Sequence, residues 1–397
     1  MRGSGFPADR DAQADGAQHF RMKISQDLRN RCAERLSAAS DKVPRLTAFV
    51  GLDGFVDEIL HVVDKRENAE KYSRLVKMAA WGDRIHAAAG RSTNIELVSQ
   101  MTKLGGNGPI MANALASLGM KVTYLGLLGY PNLHPVFADF AQRAEVHSIA
   151  EPGYTDAVEF EDGKVMLGKH ESLKQMTWGN IKSRFGLDAF AERFGRADLV
   201  GFVNWTMLPH MTNVWEAVQA ELCPKLNGAT RRRLFVDLAD PEKRLPADVV
   251  RALERVAAFG QWFDVILGLN EKEAHEAAKA LGIDRPTPSP DDLLALSREI
   301  HRRVPVQTLV VHPVRYALVI SSSGEAITGG PVTPQPLITT GAGDHFNSGF
   351  CLGKLLGLDD LDALLAGVTT SGFYVRSARS PNVADLARLL RDVSVEY

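Results

Sequence analysis

The chain has 397 residues, of which 45% are hydrophobic, and it carries a formal net charge of −2. This length is sufficient for one large α/β domain with an appendage or for two domains. The nearly neutral charge excludes the strongly basic face of a nucleic-acid-binding protein, and the lack of any apolar run of about 18 residues excludes a membrane-spanning helix.

The chain begins with a segment rich in Asp, Gln, Ala and Gly that lacks the apolar core of a signal peptide, so we expect a disordered tail over 1–20. A helix is predicted over 22–39. The three cysteines, Cys32, Cys223 and Cys351, are far apart and have no spacing typical of a zinc site or a disulfide framework. They indicate a reducing compartment, and we expect the protein in the cytoplasm.

From about residue 45, short β-branched runs alternate with longer amphipathic ones. Continuous apolar runs such as Leu309-Val310-Val311 are typical of strands that are covered on both faces. The alternation predicts an α/β fold with a doubly wound, mostly parallel sheet flanked by helices. The predicted strands are 46–51, 121–128, 198–203, 233–238, 263–267, 308–312 and 316–321. The predicted helices are 107–118, 134–144, 181–194, 210–221, 247–258, 271–281 and 290–302.

Two stretches interrupt this alternation. Glu161-Asp162-Gly163 separates two alternating runs, and an Asp-Gly in such a position predicts a β-hairpin over about 155–168. The irregular stretch 55–100 is too long for a plain loop, so we expect helices there. Together the two stretches are expected to form a small, discontinuous β lid outside the main sheet.

A glycine-rich segment, Gly341-Ala342-Gly343-Asp344, lies between three prolines (Pro331, Pro334 and Pro336) and an amphipathic run from Phe346. Because the prolines exclude a helix before it, the segment is expected at a helix N-terminus. Unpaired N–H groups at such an end bind anions, and glycine lets the backbone approach closely. The segment predicts an anion hole for a transferred phosphoryl group, with Asp344 accepting the proton of an attacking hydroxyl. Alternatively, Asp344 only caps the helix.

The run from Thr339 to Phe346 resembles the C-terminal signature of the ribokinase-like (PfkB-type) carbohydrate kinases, with Ile338 in place of the leading aspartate. Upstream, Gly105-Gly106-Asn107-Gly108-Pro109 and the helix after it resemble the N-terminal signature of the same family. The resemblance covers about residues 46–390. It implies a ribokinase-like kinase domain over 21–397 that transfers a phosphoryl group to a hydroxyl of a sugar or a sugar-like small molecule.

The resemblance implies roles on the substrate side of the site. Gly105 and Gly106 open a helix that approaches the substrate closely, and Asn107 belongs to the same pocket. Family members also use an aspartate after the first strand to bind two substrate hydroxyls, which orients the substrate. Asp57 matches the usual Val-Asp pair and Asp53 lies nearer to the strand end, so both are candidates.

On the nucleotide side, Asn270 and Glu273 resemble the Asn-x-x-Glu of the family. The resemblance implies that Asn270 borders the nucleotide and that Glu273 contributes to a Mg²⁺ site, mostly through water. The same pair is typical of a capping box at a helix start, and the two interpretations are compatible. Thr340 is expected near the nucleotide and near a monovalent-cation site that occurs in some relatives.

The Thr-x-Gly-x-x-Gly run of the family is absent here, because the corresponding residues are His312-Pro313-Val314-Arg315-Tyr316-Ala317. This stretch of sequence is similar to the corresponding stretch in the ADP-dependent branch of the superfamily. We expect ATP as the phosphoryl donor, with ADP as the alternative. His312 and Arg315 are candidates for contacts with the nucleotide, although His312 equally suits a structural role at the strand end.

These features predict a Mg²⁺-dependent carbohydrate kinase whose partners are a sugar-like molecule and a nucleotide, with no nucleic acid and no membrane. The resemblance also permits a homodimer formed through the lid. One alternative is a nucleoside kinase or an ADP-dependent sugar kinase. Another is a sugar- or nucleotide-binding sensor that has lost catalysis. A nicotinamide-dependent dehydrogenase is disfavoured, because the Gly-x-Gly-x-x-Gly fingerprint is absent.

Overall fold

The computed structural model describes residues 24–226 and 231–397, so the predicted tail over 1–20 lies outside the described residues. The strands are β1 Thr47–Gly51, β2 Phe55–Arg66, β3 Tyr72–Arg74, β4 Leu97–Gly105, β5 Lys121–Gly126, β6 Glu145–Ser148, β7 Gly153–Phe160, β8 Gly163–Lys169, β9 Leu199–Phe202, β10 Arg232–Asp237, β11 Phe263–Leu269, β12 Thr308–Val311, β13 Tyr316–Ser321 and β14 Gly324–Gly329. The α-helices are α1 Gln26–Ala39, α2 Met78–Ala87, α3 Asn107–Ser117, α4 Ala138–Ala141, α5 Trp178–Asn180, α6 Leu187–Arg196, α7 Met211–Glu221, α8 Pro246–Ala258, α9 Glu271–Ala280, α10 Pro290–Arg303, α11 Ala342–Leu355, α12 Asp360–Ser377 and α13 Val383–Arg391. Short 3₁₀ segments lie at Ser40–Arg45, Pro135–Phe137, Glu171–Gln175, Cys223–Lys225, Pro241–Lys243 and Phe259–Gln261, and Ile181–Gly186 is π-helical.

The main sheet has nine strands in the order β14-β13-β12-β11-β10-β9-β1-β5-β6. The strands from β6 to β12 in this order pair in parallel, and only β13 and β14 at one edge are antiparallel. Consecutive buried residues such as Phe49 and Val50 belong to two different hydrophobic clusters, because helices cover both faces of the sheet. The predicted doubly wound, mostly parallel α/β sheet is confirmed.

A second sheet of five strands lies outside the main one. Its central strand β2 pairs with β3, β4 and β7, and β7 pairs with β8. The hairpin expected over 155–168 is the β7–β8 pair, with its turn between Phe160 and Gly163. On one face of this sheet, Leu60, Val62, Val158 and Phe160 form a small core.

The expectation of helices over 55–100 was largely wrong. This stretch contains β2, β3 and most of β4, and α2 is its one α-helix. Where β4 pairs with Ile59 and Leu60 of β2, Gln100 of β4 has no partner, and this extra residue breaks the period-2 pattern that identifies β4 from sequence. The buried positions of β2 also lie on both of its faces, so its hydrophobic residues run in pairs rather than alternating.

The carboxyl ends of the parallel strands meet at one edge of the main sheet, where β2 and β4 of the second sheet also arrive. Ligands of open α/β sheets bind at this edge. The residues that follow β1, β9, β10, β11 and β12 therefore lie together. Within residues 24–226 and 231–397, the structure contains no helix with the length and apolar character needed to cross a membrane.

Candidate active site

Helix α11 begins at Ala342, and Gly341 precedes it with a φ of 89°. Only glycine adopts this left-handed conformation without strain, which explains its presence at the turn. A side chain at Gly343 would also meet the ring of His312, since a Cβ there would lie 3.2 Å from Cε1. The helix N-terminus predicted from the glycines is therefore present, with Asp344 in its first turn.

The backbone N–H groups of this turn differ in their partners. The N–H of Ala342 donates to the carbonyl of Thr339 at 3.1 Å, and the N–H of His345 donates to that of Gly341 at 3.1 Å. Within the described part of the chain, no backbone group accepts a hydrogen bond from the N–H of Gly343 or Asp344. Two donors at the positive end of a helix are thus left for an anion.

Three further buried carboxyl groups, those of Asp53, Asp237 and Glu273, lie near enough to Asp344 in this turn for their charges to act on it. Burial raises the pKa of Asp344 well above its usual range, and the charges of Asp237, Asp53 and Glu273 raise it further. Burial also raises the pKa of Asp53 to about 6 and that of Asp237 to about 6. The pKa of Glu273 rises to about 8 because of burial and the charge of Asp237. Carboxyl groups whose charges raise one another's pKa favour a cation or protons in their midst.

Three of these carboxylates each accept a hydrogen bond from an asparagine amide. Asn107 donates to Asp344 at 3.1 Å, and Asn347 donates to Asp237 at 3.0 Å. The third amide contact joins Asn204 to Asp53 at 2.6 Å. An amide orients a carboxylate without adding charge, so the negative charge of the cluster stays available to a cation.

Both aspartates that were candidates for substrate binding lie against the Gly105-Gly106 turn. A Cβ at Gly105 would lie 2.5 Å from the carboxylate of Asp57, and one at Gly106 would lie 2.8 Å from Oδ2 of Asp53. The Asp57 side chain, on β2, accepts a hydrogen bond from the hydroxyl of Thr155. Burial raises its pKa, which the nearby charge of Lys103 partly offsets.

Asn270 and Glu273 form the capping box at the start of α9. Asn270 Oδ1 accepts the N–H of Glu273 at 2.9 Å, and Glu273 Oε2 accepts the N–H of Asn270 at 2.8 Å. The other oxygen of Glu273 accepts the N–H of Asp240 at 3.1 Å. Nearby, Asp240, Glu242 and Glu276 approach one another closely, but Lys272 bonds to this group and neutralises part of its charge.

A cavity of about 720 Å³ opens beside the glycine-rich turn. Its walls are mostly apolar, and they include His312, Val314, Val332, Phe346 and Val375. Asn270 and Thr339 also line the cavity, whereas Thr340 and Arg315 are not among the described residues that line it. The structure thus brings two of the four residues expected near the nucleotide to this cavity.

His312 has an unusual environment. Its Nε2 is buried and has no hydrogen-bond partner among the described residues, and its ring lies on that of Phe346 with 4.6 Å between centroids. Burial lowers the pKa of His312 to about 4, so the ring is neutral at physiological pH. An unpaired ring nitrogen at a cavity wall is a group that a ligand can satisfy.

Sequence reasoning missed a pair of aromatic rings that holds the glycine-rich turn. His345 stacks on Tyr374 with 3.6 Å between centroids. The Tyr374 hydroxyl donates to the carbonyl of Thr340 at 3.1 Å. The His345 Nδ1 lies 2.7 Å from the carbonyl of Gly341, which can only accept, so Nδ1 carries the proton. The pair therefore holds the carbonyls of Thr340 and Gly341, which precede the unpaired N–H groups in the sequence.

Asp237, Asn204 and Asn347 were also missed. Asp237 is the last residue of β10 and follows three buried apolar residues. Asn204 lies shortly after the end of β9, whose residues are all buried. A polar residue at the carboxyl end of a buried parallel strand is a signal that was available in the sequence. Asn347 carries no such signal, because only the packing of α11 against β10 makes its contact with Asp237.

Solved kinase structures share this architecture. Ribokinase from Arabidopsis thaliana, solved in complex with ribose and ATP, matches with a TM-score of 0.61 at 16% identity, over 88% of this chain and 99% of that one. A mutant of phosphofructokinase-2 from Escherichia coli matches with a TM-score of 0.58 at 17% identity, over 87% and 97%. The fold is thus that of the ribokinase-like kinases.

The particular family follows from sequence comparison. The family model of prokaryotic ketohexokinase matches residues 24–393. A ketohexokinase from Haloferax volcanii is 31% identical over 357 residues, which cover 89% of this chain and 92% of that protein. The chain belongs to the prokaryotic ketohexokinase family and is a sugar kinase. This confirms the predicted class of enzyme and decides against the non-catalytic sensor.

Proposed function

We propose that this chain transfers the γ-phosphoryl group of ATP to a hydroxyl of a ketohexose, with Asp344 as the general base. One observation carries the proposal: a buried carboxylate and two unpaired backbone N–H groups share the first turn of α11. A base and an anion hole this close together suit the in-line attack of a hydroxyl on phosphorus. The ketohexose comes from the name of the Haloferax relative.

In the proposed step, Asp344 takes the proton of the substrate hydroxyl while the oxygen of that hydroxyl bonds to the γ-phosphorus. The bond between phosphorus and the β,γ-bridging oxygen breaks, and ADP leaves with its electron pair. The raised pKa makes Asp344 a stronger base than an ordinary aspartate, and Asn107 holds the carboxylate in place. The N–H groups of Gly343 and Asp344 stabilise the charge on the transferred group.

We propose that the cavity of about 720 Å³ holds the nucleotide. Its apolar walls suit a nucleobase, and it adjoins the anion hole at Gly343. His312 and Asn270 line it and are the side chains that we expect to contact the nucleotide. The Arabidopsis ribokinase solved with ATP supports ATP rather than ADP as donor.

Asp237 and Glu273 have the chemistry of a Mg²⁺ site. Both are buried and acidic, and neither forms an ion pair with a lysine or arginine of the described residues. Their oxygens already accept N–H donors, so a Mg²⁺ ion would be held largely through its own waters. When bound, the ion would neutralise charge on the nucleotide phosphates.

On the sugar side, we propose that Gly105, Gly106, Asn107 and Asp57 face the ketohexose. Two glycines at the start of α3 let the backbone approach the sugar, and the carboxylate of Asp57 can accept two hydroxyls. Asp57 comes from the second sheet, whereas Asp344 belongs to the main domain. The second sheet thus acts as a lid that supplies part of the sugar site.

We propose that the loop before α11 needs no monovalent cation. The carbonyls of Thr340 and Gly341 already accept hydrogen bonds from Tyr374 and His345. We propose that this aromatic pair braces the loop in place of a cation. Turnover in potassium should then equal turnover in tetramethylammonium at the same ionic strength, and strong activation by potassium would contradict this.

We also propose a homodimer formed through the second sheet. Met101 and Met166 lie on its outer strands, and their exposed fractions are 58% and 52%. The register aligns them with Ile59 and Ala157 in one row across the sheet. A second copy would remove the side chains of Met101 and Met166 from water, whereas Ile59 and Ala157 between them are already buried. For the wild type, light scattering should give twice the 43.4 kDa mass of the chain. For Met101→Lys, the fraction of the protein that is dimeric should be lower. A monomeric wild type would contradict it.

The function is tested with the purified chain, Mg²⁺ and either ATP or ADP against D-fructose, other ketohexoses, aldohexoses, ribose and adenosine. We expect a phosphate ester from a ketohexose and ATP, detected by mass spectrometry and ³¹P NMR. Turnover of aldoses or nucleosides alone would overturn the ketohexose, and turnover with ADP alone would overturn the donor. Asp344→Asn should lower the rate of product formation at least about 100-fold. The exposed Asp284→Asn is the matched control.

A further inference from the structure

Asp53 is completely buried, with both of its carboxylate oxygens engaged inside the protein. Oδ1 accepts the N–H of Gly108 at 2.9 Å and lies 3.1 Å from the hydroxyl of Tyr124, whereas Oδ2 accepts the amide of Asn204 at 2.6 Å. A carboxylate without exposed surface cannot bind a sugar hydroxyl. Asp53 therefore has a task other than the one the family resemblance suggests.

The carboxylate of Asp53 lies directly against the first turn of α3. A Cβ at Gly106 would be 2.8 Å from Oδ2, and a Cβ at Gly108 would collide with Oδ1 and with the hydroxyl of Tyr124. Glycines at both positions let the helix start sit on the carboxylate. By accepting the N–H of Gly108, Asp53 satisfies one of the donors that a helix start leaves unpaired.

The same turn carries the residue that touches the proposed base. Asn107 is the first residue of α3, between the two glycines that contact Asp53, and its amide donates to Asp344. The position of the Asn107 amide thus depends on the anchoring of Gly108 by Asp53. A displacement of about 1 Å in such a group lowers turnover strongly, since the reacting atoms need a defined geometry.

We propose that Asp53 is a positioning residue for the phosphoryl transfer: it anchors the first turn of α3, from which Asn107 holds the carboxylate of Asp344. This inference rests on the proposed role of Asp344. It assigns the sugar-binding carboxylate to Asp57 alone.

One further detail of the network makes the proposal testable. The Oδ1 of Asn204 is buried and has no partner among the described residues. An asparagine at position 53 can accept the N–H of Gly108 as before, and it can donate to this free oxygen once the amide of Asn204 rotates. The hydroxyl of Tyr124 keeps its 2.7 Å hydrogen bond to the backbone carbonyl of residue 53. Asp53→Asn therefore preserves the anchor, whereas Asp53→Ala removes it.

The experiment compares the steady-state kinetics of these variants with a ketohexose and ATP. We expect Asp53→Ala to lower kcat about 10- to 100-fold with the sugar KM changed less than about threefold, and Asp53→Asn to retain more than about a third of the wild-type kcat. Asp57→Asn is the comparison, because loss of a sugar contact should raise the sugar KM. If Asp53→Asn is as impaired as Asp53→Ala, or if either raises the sugar KM as Asp57→Asn does, the proposal is overturned.

A double-variant cycle separates positioning from a general structural role. If Asp53 acts through Asn107, the double variant Asp53→Ala, Asn107→Ala should have a kcat within about threefold of that of Asn107→Ala alone. Effects that multiply would overturn the proposal. If Asp53→Ala does not fold, as judged by thermal unfolding, Tyr124→Phe takes its place in the cycle, because it removes one hydroxyl of the same network.

The proposed function and this inference fail in different ways. If wild type has no activity on any ketohexose, or Asp344→Asn keeps full turnover, the proposed function is wrong. If both behave as expected but the cycle is additive, only the role of Asp53 is wrong.

Discussion

The amide of Asn107 donates a hydrogen bond to the carboxylate of Asp344, with 3.1 Å between Nδ2 and Oδ1, although 237 positions separate the two residues. Asn107 begins α3 and Asp344 lies in the first turn of α11, and the two helices pack against each other. This contact joins two glycine-rich segments that are weak signals separately. The proposed reaction centre lies where both helix starts meet.

The first prediction concerns the proposed base. Asp344→Asn should lower kcat by about 10²- to 10⁴-fold, because the amide cannot accept the proton of the attacking hydroxyl. Nucleotide binding should persist, since the amide leaves the backbone N–H groups and the cavity unchanged. Stopped-flow or quenched assays give kcat, and calorimetry gives the affinity for ATP. A variant with turnover close to wild type would show that another group takes the proton.

The second prediction concerns stability and pH. The pKa of Glu273 is about 8 in the folded protein, whereas an unfolded glutamate has a pKa of about 4.3. Between these values the folded state binds a proton that the unfolded state does not. The resulting stability is complete below the unfolded pKa and is lost as pH rises through the folded pKa. Without Mg²⁺, the free energy of unfolding should fall by about 1 kcal/mol between about pH 7 and about pH 9 from this group.

Denaturant unfolding in EDTA across this pH range measures the effect. Glu273→Gln should remove that part of the decline, because glutamine does not titrate. Glu271→Gln, an exposed change on the same helical turn, should leave the decline as in wild type. Equal pH dependence in Glu273→Gln and wild type would mean that other groups cause it.

The third prediction concerns the aromatic brace. His345→Phe keeps a ring to stack on Tyr374 but loses the hydrogen bond to the carbonyl of Gly341. We expect kcat to fall about tenfold, because the anion hole is less well oriented, while the KM for ATP changes little. Ser380→Ala is the control, since it removes only the hydroxyl that contacts the far nitrogen of His345. A larger effect from Ser380→Ala than from His345→Phe would contradict the role of the ring.

The fourth prediction concerns the nucleotide cavity. His312→Ala should raise the KM for ATP about tenfold with a smaller effect on kcat, because it removes a cavity wall and a nitrogen that a ligand can bond. Arg315→Ala should change neither value by more than about twofold, since this exposed residue does not line the cavity. The reverse order of effects would place the nucleotide phosphates nearer to Arg315.

Local features of the chain were sufficient to predict much of the main domain. The alternation of buried strands and amphipathic helices, the capping box at Asn270 and the helix start at Gly341 each depend on residues close together in sequence. The β7–β8 hairpin follows from one Asp-Gly turn. Each of these elements has a signal that is complete within a few residues.

Other features depend on packing and were not accessible in this way. The paired hydrophobic residues of β2 hid a long strand, and Asp237 becomes part of the carboxylate cluster only because β10 lies next to β11. The choice between Asp53 and Asp57 also required the structure. Both follow β1 closely, but burial separates them, since Tyr124 and Asn204 enclose Asp53 from distant parts of the chain.

The pairing of carboxylates with asparagines, rather than with lysine or arginine, has a consequence for nucleotide binding. Amides leave the charge of Asp237, Glu273 and Asp344 uncompensated, so near neutral pH protons remain on part of this cluster in the resting enzyme. If Mg²⁺ binds at this cluster as proposed, these protons leave for the solvent when Mg²⁺ and ATP bind. The heat of binding should therefore vary with the ionisation enthalpy of the buffer, and binding should strengthen as the solution becomes more alkaline.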